Sequence, residues 1–311
     1  MKKLFFCGLM LLSFTFSAAA DTVLKVGTWK TAQTIQPFFY DRFLSQKVEV
    51  FSFTNPADQK TALLAGSLDM CGTTLAHAIH SASQGQPVVV VVALCNKSSA
   101  LVVKKDSPIQ SVAQLEGKRI GYVPGTMHEI LLRETLTRNR LSPEKDVRLT
   151  RVDFFDMGLA LARGGIDAFL SGEPFPTLAV HEGYGRILEY PYYDDSVGTI
   201  NAGMLVTRET IEKNPDKVLQ LVKAHAQATM FLQQHQDQWL DRAATFGTDR
   251  EMLDKAAHNM ELVWEMDASF VERAKALGDR MQALKVIERR PDYDKLFDLR
   301  FIQQVKAELN R

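Results

Sequence analysis

Cysteine is scarce in this chain. Its 311 residues carry three, Cys7, Cys71 and Cys95, which excludes the small secreted scaffolds built on a disulfide framework. An excess of charge of either sign is also missing, since Lys plus Arg and Asp plus Glu both number 37. No general attraction to nucleic acid or to an anionic membrane surface follows from such a balance. Beyond the N-terminal segment even the run Val88 to Leu94 is far shorter than the roughly 20 apolar residues a membrane-spanning helix needs. No Pro/Gly/Ser-rich stretch marks a linker, and no short period marks a solenoid or propeller. Nor is there a G-x-S-x-G elbow, an H-E-x-x-H helix, a P-loop or a G-x-G-x-x-G fingerprint. A catalytic role and a cofactor are therefore not expected. His77 and His80 have the spacing of half a metal site, but such pairs more commonly face solvent or satisfy local hydrogen bonds, so no metal is expected either.

What is present begins with an address. Lys2 and Lys3 precede an apolar run from Leu4 to Phe16 and the small residues Ser17-Ala18-Ala19-Ala20, the pattern of a secretory signal peptide over 1–20 with cleavage before Asp21. Cys7 stands at the front of that run and not at its end, where a lipid-modified cysteine would lie. The expected location is the periplasm. There Cys71 and Cys95, each at the end of an expected strand, form a possible disulfide, with buried free thiols as the alternative.

Short β-rich runs alternate with longer helical stretches, the signature of an α/β protein with largely parallel sheets. Strands are expected at Val23–Gly27, Val48–Phe53, Leu68–Cys71, Val88–Leu94, Ala100–Val103, Arg119–Val123, Arg148–Val152, Ile166–Leu170 and Gly203–Thr207. One helix has readable ends: Asn55 as N-cap, Pro56 at the first helical position, and Gly66 at the stop. The passage Ala62–Asp69, ALLAGSLD, is matched by Ala160–Asp167, ALARGGID. This is either one βαβ piece used once per lobe or a common local pattern arising twice. From about Thr207 the chain reads as almost wholly helical. Length favours two domains, and the missing linker favours lobes joined by crossing strands, expected at Leu101–Lys104 and Ala202–Val206. The expected division is therefore 21–102 plus 206–311 for the first lobe and 103–205 for the second.

The stretch Ser111–Gly121, SVAQLEGKRIG, together with ALLAGSLD and with Gly172-Glu173-Pro174 after a strand, resembles the substrate-binding proteins of ABC importers for nitrate, sulfonates, taurine and thiamine-precursor pyrimidines. That resemblance implies a type II periplasmic-binding-protein fold, two α/β lobes with a ligand cleft between them. It further implies a monomer that closes by a hinge on a small polar molecule, sulfonate-like, taurine-like or pyrimidine-like, and hands it to a permease with its ATPase. The alternatives are an exported ligand sensor for a membrane receptor and a pyrimidine synthase on the same fold. Ligands of open α/β sheets sit beyond the carboxyl ends of strands, where helix N-termini present free N–H groups. The candidate binding residues in such positions are Trp29, Lys30, Thr73, Thr74, Gly125, Thr126 and Glu173, with Asp194 near the return crossing. A carboxylate at Glu173 hints at a ligand with a cationic or donor-bearing end, unless it caps the helix that Pro174 begins.

Overall fold

The computed structural model describes residues 23–54 and 56–309. The signal peptide over 1–20, the cleavage before Asp21 and the N-cap at Asn55 lie outside the described residues. Eleven strands are described: β1 Leu24–Trp29, β2 Val48–Phe53, β3 Met70–Thr74, β4 Val88–Lys97, β5 Ser99–Lys104, β6 Arg119–Tyr122, β7 Arg148–Arg151, β8 Ala168–Gly172, β9 Gly185–Glu189, β10 Ile200–Thr207 and β11 Met260–Leu262. They form two sheets, ordered β11-β4-β10-β3-β1-β2 and β7-β6-β8-β5-β9. In each, a parallel trio (β2-β1-β3 and β7-β6-β8) is continued by an antiparallel strand that arrives from the other sheet. β4 reads as an unbroken apolar run because both of its faces are covered. Val88 and Val90 enter one core cluster, Val89 and Val91 the other.

The matched octapeptides occupy equivalent places. Gly66 and Gly164 both close their helices at φ +72°, a left-handed conformation that glycine adopts without a Cβ penalty. Asp69 Oδ2 accepts from Lys25 N at 2.8 Å while Asp69 N donates to Lys25 O at 2.8 Å, and Asp167 repeats both bonds on Arg119 at 2.9 and 2.8 Å. Each aspartate thus pins the first strand of its trio. The next residue but one is tight in both lobes: a Cβ on Gly27 would stand 2.7 Å from Leu68 Cδ1 and 3.1 Å from Cys71 Cβ, and one on Gly121 2.7 Å from Ile166 Cδ1 and 3.3 Å from Phe169 Cβ. Gly27→Ala and Gly121→Ala are each expected to cost about 1–2 kcal/mol by overpacking, read as matching drops in urea midpoint. A stabilised variant would show that the helix-to-strand turn yields freely at that site.

The chain crosses between sheets earlier than expected. It leaves the first sheet at Lys97-Ser98, both at positive φ, and returns between β9 and β10. The expected crossings Leu101–Lys104 and Ala202–Val206 lie inside β5 and β10, so 99–102 belong to the second sheet and 200–205 to the first. Side-chain periodicity does not register such a crossing, because both strands are buried on either side of it. The tail past Thr207 is helical except for β11, which adds an edge to the first sheet. Its helix Pro215–Gln234 packs on the 3-10 segment Gln36–Arg42, where Tyr40 Oη donates to His225 Nδ1 at 2.7 Å and His225 Nε2 donates to Ala93 O at 2.8 Å.

Cys71 and Cys95 are not bridged. β10 runs between their strands, which separates them by about two strand spacings, roughly 10 Å, and they face opposite core clusters. Burial pushes both thiols up to about 12.

Candidate functional site

The carboxyl ends of β1 and β3 in the first lobe face those of β6 and β8 in the second. Thr74 ends β3 and caps the helix Leu75–Ser83, its Oγ1 accepting from His77 N at 3.3 Å. Thr126 caps the helix Met127–Arg138, accepting from Glu129 N at 3.3 Å and donating to Val123 O at 2.8 Å. These two helices pack against each other across the cleft.

Between the lobes lies a partly enclosed cavity of about 30 Å³, room for about two waters. The first lobe contributes Trp29, Gln33, Thr74 and Asn201 to its wall, and the second contributes His128, Phe154, Phe155, Gly172 and Phe175. Trp29 Nε1 and Gln33 Oε1 are buried without a hydrogen-bond partner, as are Thr73 Oγ1 and Ser171 Oγ on the flanking strands. Native interiors leave few such groups unpaired, so this concentration marks a place where an external partner completes the bonding. Gly172 supplies space: a Cβ there would stand 2.8 Å from His128 Nε2 and 3.1 Å from Gln33 Nε2. His128 Nδ1 lies 3.0 Å from Ser99 Oγ, and burial depresses its pKa to about 4, so the ring is neutral at neutral pH. The aromatic wall is continuous. His128 meets Phe154 edge-on at 5.9 Å, Phe154 lies within 9° of parallel to Phe175 at 6.2 Å, and Phe155 meets Phe175 edge-on at 5.1 Å. No charged side chain lines the cavity among the described residues.

Of the expected site residues, the structure brings Trp29 and Thr74 to the cavity and sets Thr73 just behind it. Lys30 is exposed and off the wall. Thr126 is fully buried in its capping role. Gly125 lines a separate open groove of about 880 Å³, along with His77, His80 and Arg133. The charges there answer one another: Glu129 accepts from Gly125 N at 2.7 Å and from Arg133 at 2.9 Å, and Arg133 also reaches Glu144 at 2.9 Å. Asp194 sits on the surface between Ser196 and Arg280, whose bonds hold its carboxyl down to about 2. Arg280 also reaches Glu134 of the second lobe, at 2.5 Å.

Glu173 is fully buried and both its oxygens are occupied, Oε1 by Asn259 Nδ2 at 3.1 Å and Oε2 by Thr177 N at 3.2 Å. Its own N–H donates to Ser98 O at 2.8 Å and to Ser98 Oγ at 2.9 Å. Ser98 N in turn donates to Asn259 O at 2.7 Å. Residue 173 thus holds the outward crossing through its backbone N–H and the tail through its carboxylate, and the carboxylate is absent from the cavity wall. Sequence reasoning missed Gln33, His128 and the three phenylalanines. The Phe154-Phe155 pair directly after β7 was the available signal. Among the described residues no three His, Cys, Asp or Glu side chains gather as metal ligands.

Two α/β lobes with this strand order, enclosing a small cavity walled from both sides, define a bilobal solute-binding fold of the type II periplasmic class. The chain belongs to the NMT1/THI5-like family, whose model matches residues 44–239. It is similar to an Escherichia coli protein named a putative aliphatic sulfonates-binding protein, 27% identical over 198 residues, 60% of this chain and 61% of that one. The match thus spans about three fifths of that curated relative's length. In structure it resembles the alkanesulfonate-binding protein SsuA from Xanthomonas axonopodis pv. citri, with a TM-score of 0.80 and 20% identity, covering 89% of this chain and 98% of that one. It also resembles the periplasmic nitrate-binding protein NrtA from Synechocystis PCC 6803, with a TM-score of 0.75 and 16% identity, covering 93% and 89%.

Proposed function

We propose that this chain is the solute-binding component of an ABC importer, working as a monomer in the periplasm and passing a small organic molecule to a permease and its ATPase. The observation that carries this reading is the cavity between the lobes, with Trp29 Nε1 and Gln33 Oε1 unpaired on its wall. Contacts made from both lobes coexist only when the cleft is shut, so a ligand that makes them shifts the hinge equilibrium by its differential affinity for the two states. Family membership and the names of the relatives support the same role. Glu173 is fully buried off the cavity wall, so a cationic end paired with it drops out of the reading, and the ligand group to seek is an acceptor for the Trp29 N–H.

The test uses the solute that copurifies with the protein, identified by mass spectrometry. Trp29→Ala is expected to weaken its binding about 100-fold, through lost apolar contact and the lost donor, and Trp29→Phe about tenfold. Calorimetry reads the affinity and small-angle scattering the compaction on binding. Chemical turnover of the bound solute would overturn the transport reading.

A further inference from the structure

Resting on that reading, we infer that the cleft selects a ligand with an aromatic ring carrying a hydrogen-bond acceptor, and that Phe154, Phe155 and Phe175 are its specificity residues. Four observations converge on this chemistry. The second-lobe wall is a connected set of rings, His128, Phe154, Phe175 and Phe155, and Trp29 closes the opposite side, so a flat ring meets π-faces and edges from both lobes. The wall carries no charged side chain, and His128 is neutral, so a compact anion whose bulk is its charge would enter a desolvated space without a counter-charge. The unpaired Trp29 Nε1 needs one acceptor, which a ring substituent or ring atom supplies without a full charge.

Finally, the aromatic surface does not stop at the cavity. Phe155 is 48% exposed and Leu159 49% exposed. With Phe175 and Leu178 these two line an apolar hollow on the outer face of the same wall. Large apolar side chains left in water beside a cleft mark a place of apolar contact, and the one charged residue lining this hollow is the acidic Glu182, which does not favour an anion. The cavity as it stands is smaller than a benzene ring, so entry requires the lobes to part, with the rings closing on the ligand afterwards. This sets the chain apart from relatives named for aliphatic sulfonates or nitrate, ligands that contain no aromatic ring.

The experiment is calorimetric titration with matched probes that share a head group and differ only in the ring: benzamide against acetamide, benzoate against acetate, and benzenesulfonate against methanesulfonate. The wild type is compared with a Phe154→Leu/Phe175→Leu double variant, which keeps the wall apolar and is checked for fold by circular dichroism. In at least one pair the aromatic member is expected to bind about tenfold tighter or better, and that advantage should fall to about threefold or less in the double variant. Aliphatic members that bind as tightly as their aromatic partners in every pair that binds overturn the inference. Should no probe bind, the solute retained by the purified protein decides: a ring in it supports the inference, and a ring-free solute overturns it while leaving the solute-binding reading intact.

Discussion

Acidification from pH 7 to 4 is expected to remove roughly 3 kcal/mol of stability through each of two histidines, His128 and His225. Both are buried, and burial is the main cause that lowers each pKa to about 4. For His225 the backbone hydrogen bonds to Ala93 and Val263 act in the opposite direction without reversing it. An unfolded histidine takes up its proton near pH 6.5, so between about 6.5 and 4 the unfolded state binds more protons than the folded one. Stability therefore rises with pH through that window and is lost as pH falls through it.

Each histidine adds a slope of at most about 1.4 kcal/mol per pH unit. Glu173 acts with the opposite sign. Burial raises its folded pKa, so its contribution falls as pH rises above the unfolded value and partly offsets the histidines on the acid side. Urea unfolding at half-unit steps from pH 7 to 4 measures the slope. The His225→Gln variant, whose amide can still donate to Ala93 O and accept from Tyr40, isolates one histidine's share. An unchanged slope in that variant would remove His225 from the account.

Replacing Glu173 by alanine is expected to cost about 3 kcal/mol at pH 7. Thr177 N would lose its acceptor and Asn259 Nδ2 one of its two, keeping Ser99 O at 3.2 Å, and an unsatisfied buried donor costs about 1–3 kcal/mol. Relief of the buried carboxylate's own desolvation works against this loss and keeps the figure below the sum of two such terms. Glu173→Gln keeps one acceptor and should cost about 1 kcal/mol. The effect is not confined to global stability, because the carboxylate positions Asn259, whose O accepts from Ser98 N at 2.7 Å and whose Nδ2 also donates to Ser99 O at 3.2 Å at the outward crossing. Hydrogen exchange at residues 97–99 should quicken in the alanine variant, and a loss under about 1 kcal/mol with unchanged exchange would show that the knot is not holding the crossing.

Much of the fold was legible in the sequence where local patterns carry it. The run Val88 to Leu94 announced a central strand, and β2 stands at the expected Val48–Phe53. The octapeptide match located the two equivalent turns at Gly66 and Gly164. β9 and β11 were not among the expected strands, and at three residues β11 is too short for a period to show. The candidate site was half legible. Trp29 and Thr74 follow from the rule that sites lie beyond strand ends, whereas Lys30, Thr126 and Asp194 obey the same rule or lie near it and point elsewhere.

Local patterns carried most of the elements, their order, the α/β class and the family resemblance, because these rest on neighbours within a few residues: alternation along a strand, a cap beside its helix, a glycine at a turn. The tertiary structure alone decided what meets what. Cys71 and Cys95 stay apart because β10, more than a hundred residues further along the chain, inserts between their strands. Glu173 became part of the crossing and not of the cavity because Asn259, 86 residues away, takes one of its oxygens. Phe154, Phe175, His128 and Trp29 line one cavity because four separate segments meet at the same cleft. The direction a side chain takes is set by the packing of distant segments, and no pattern within a single segment encodes it.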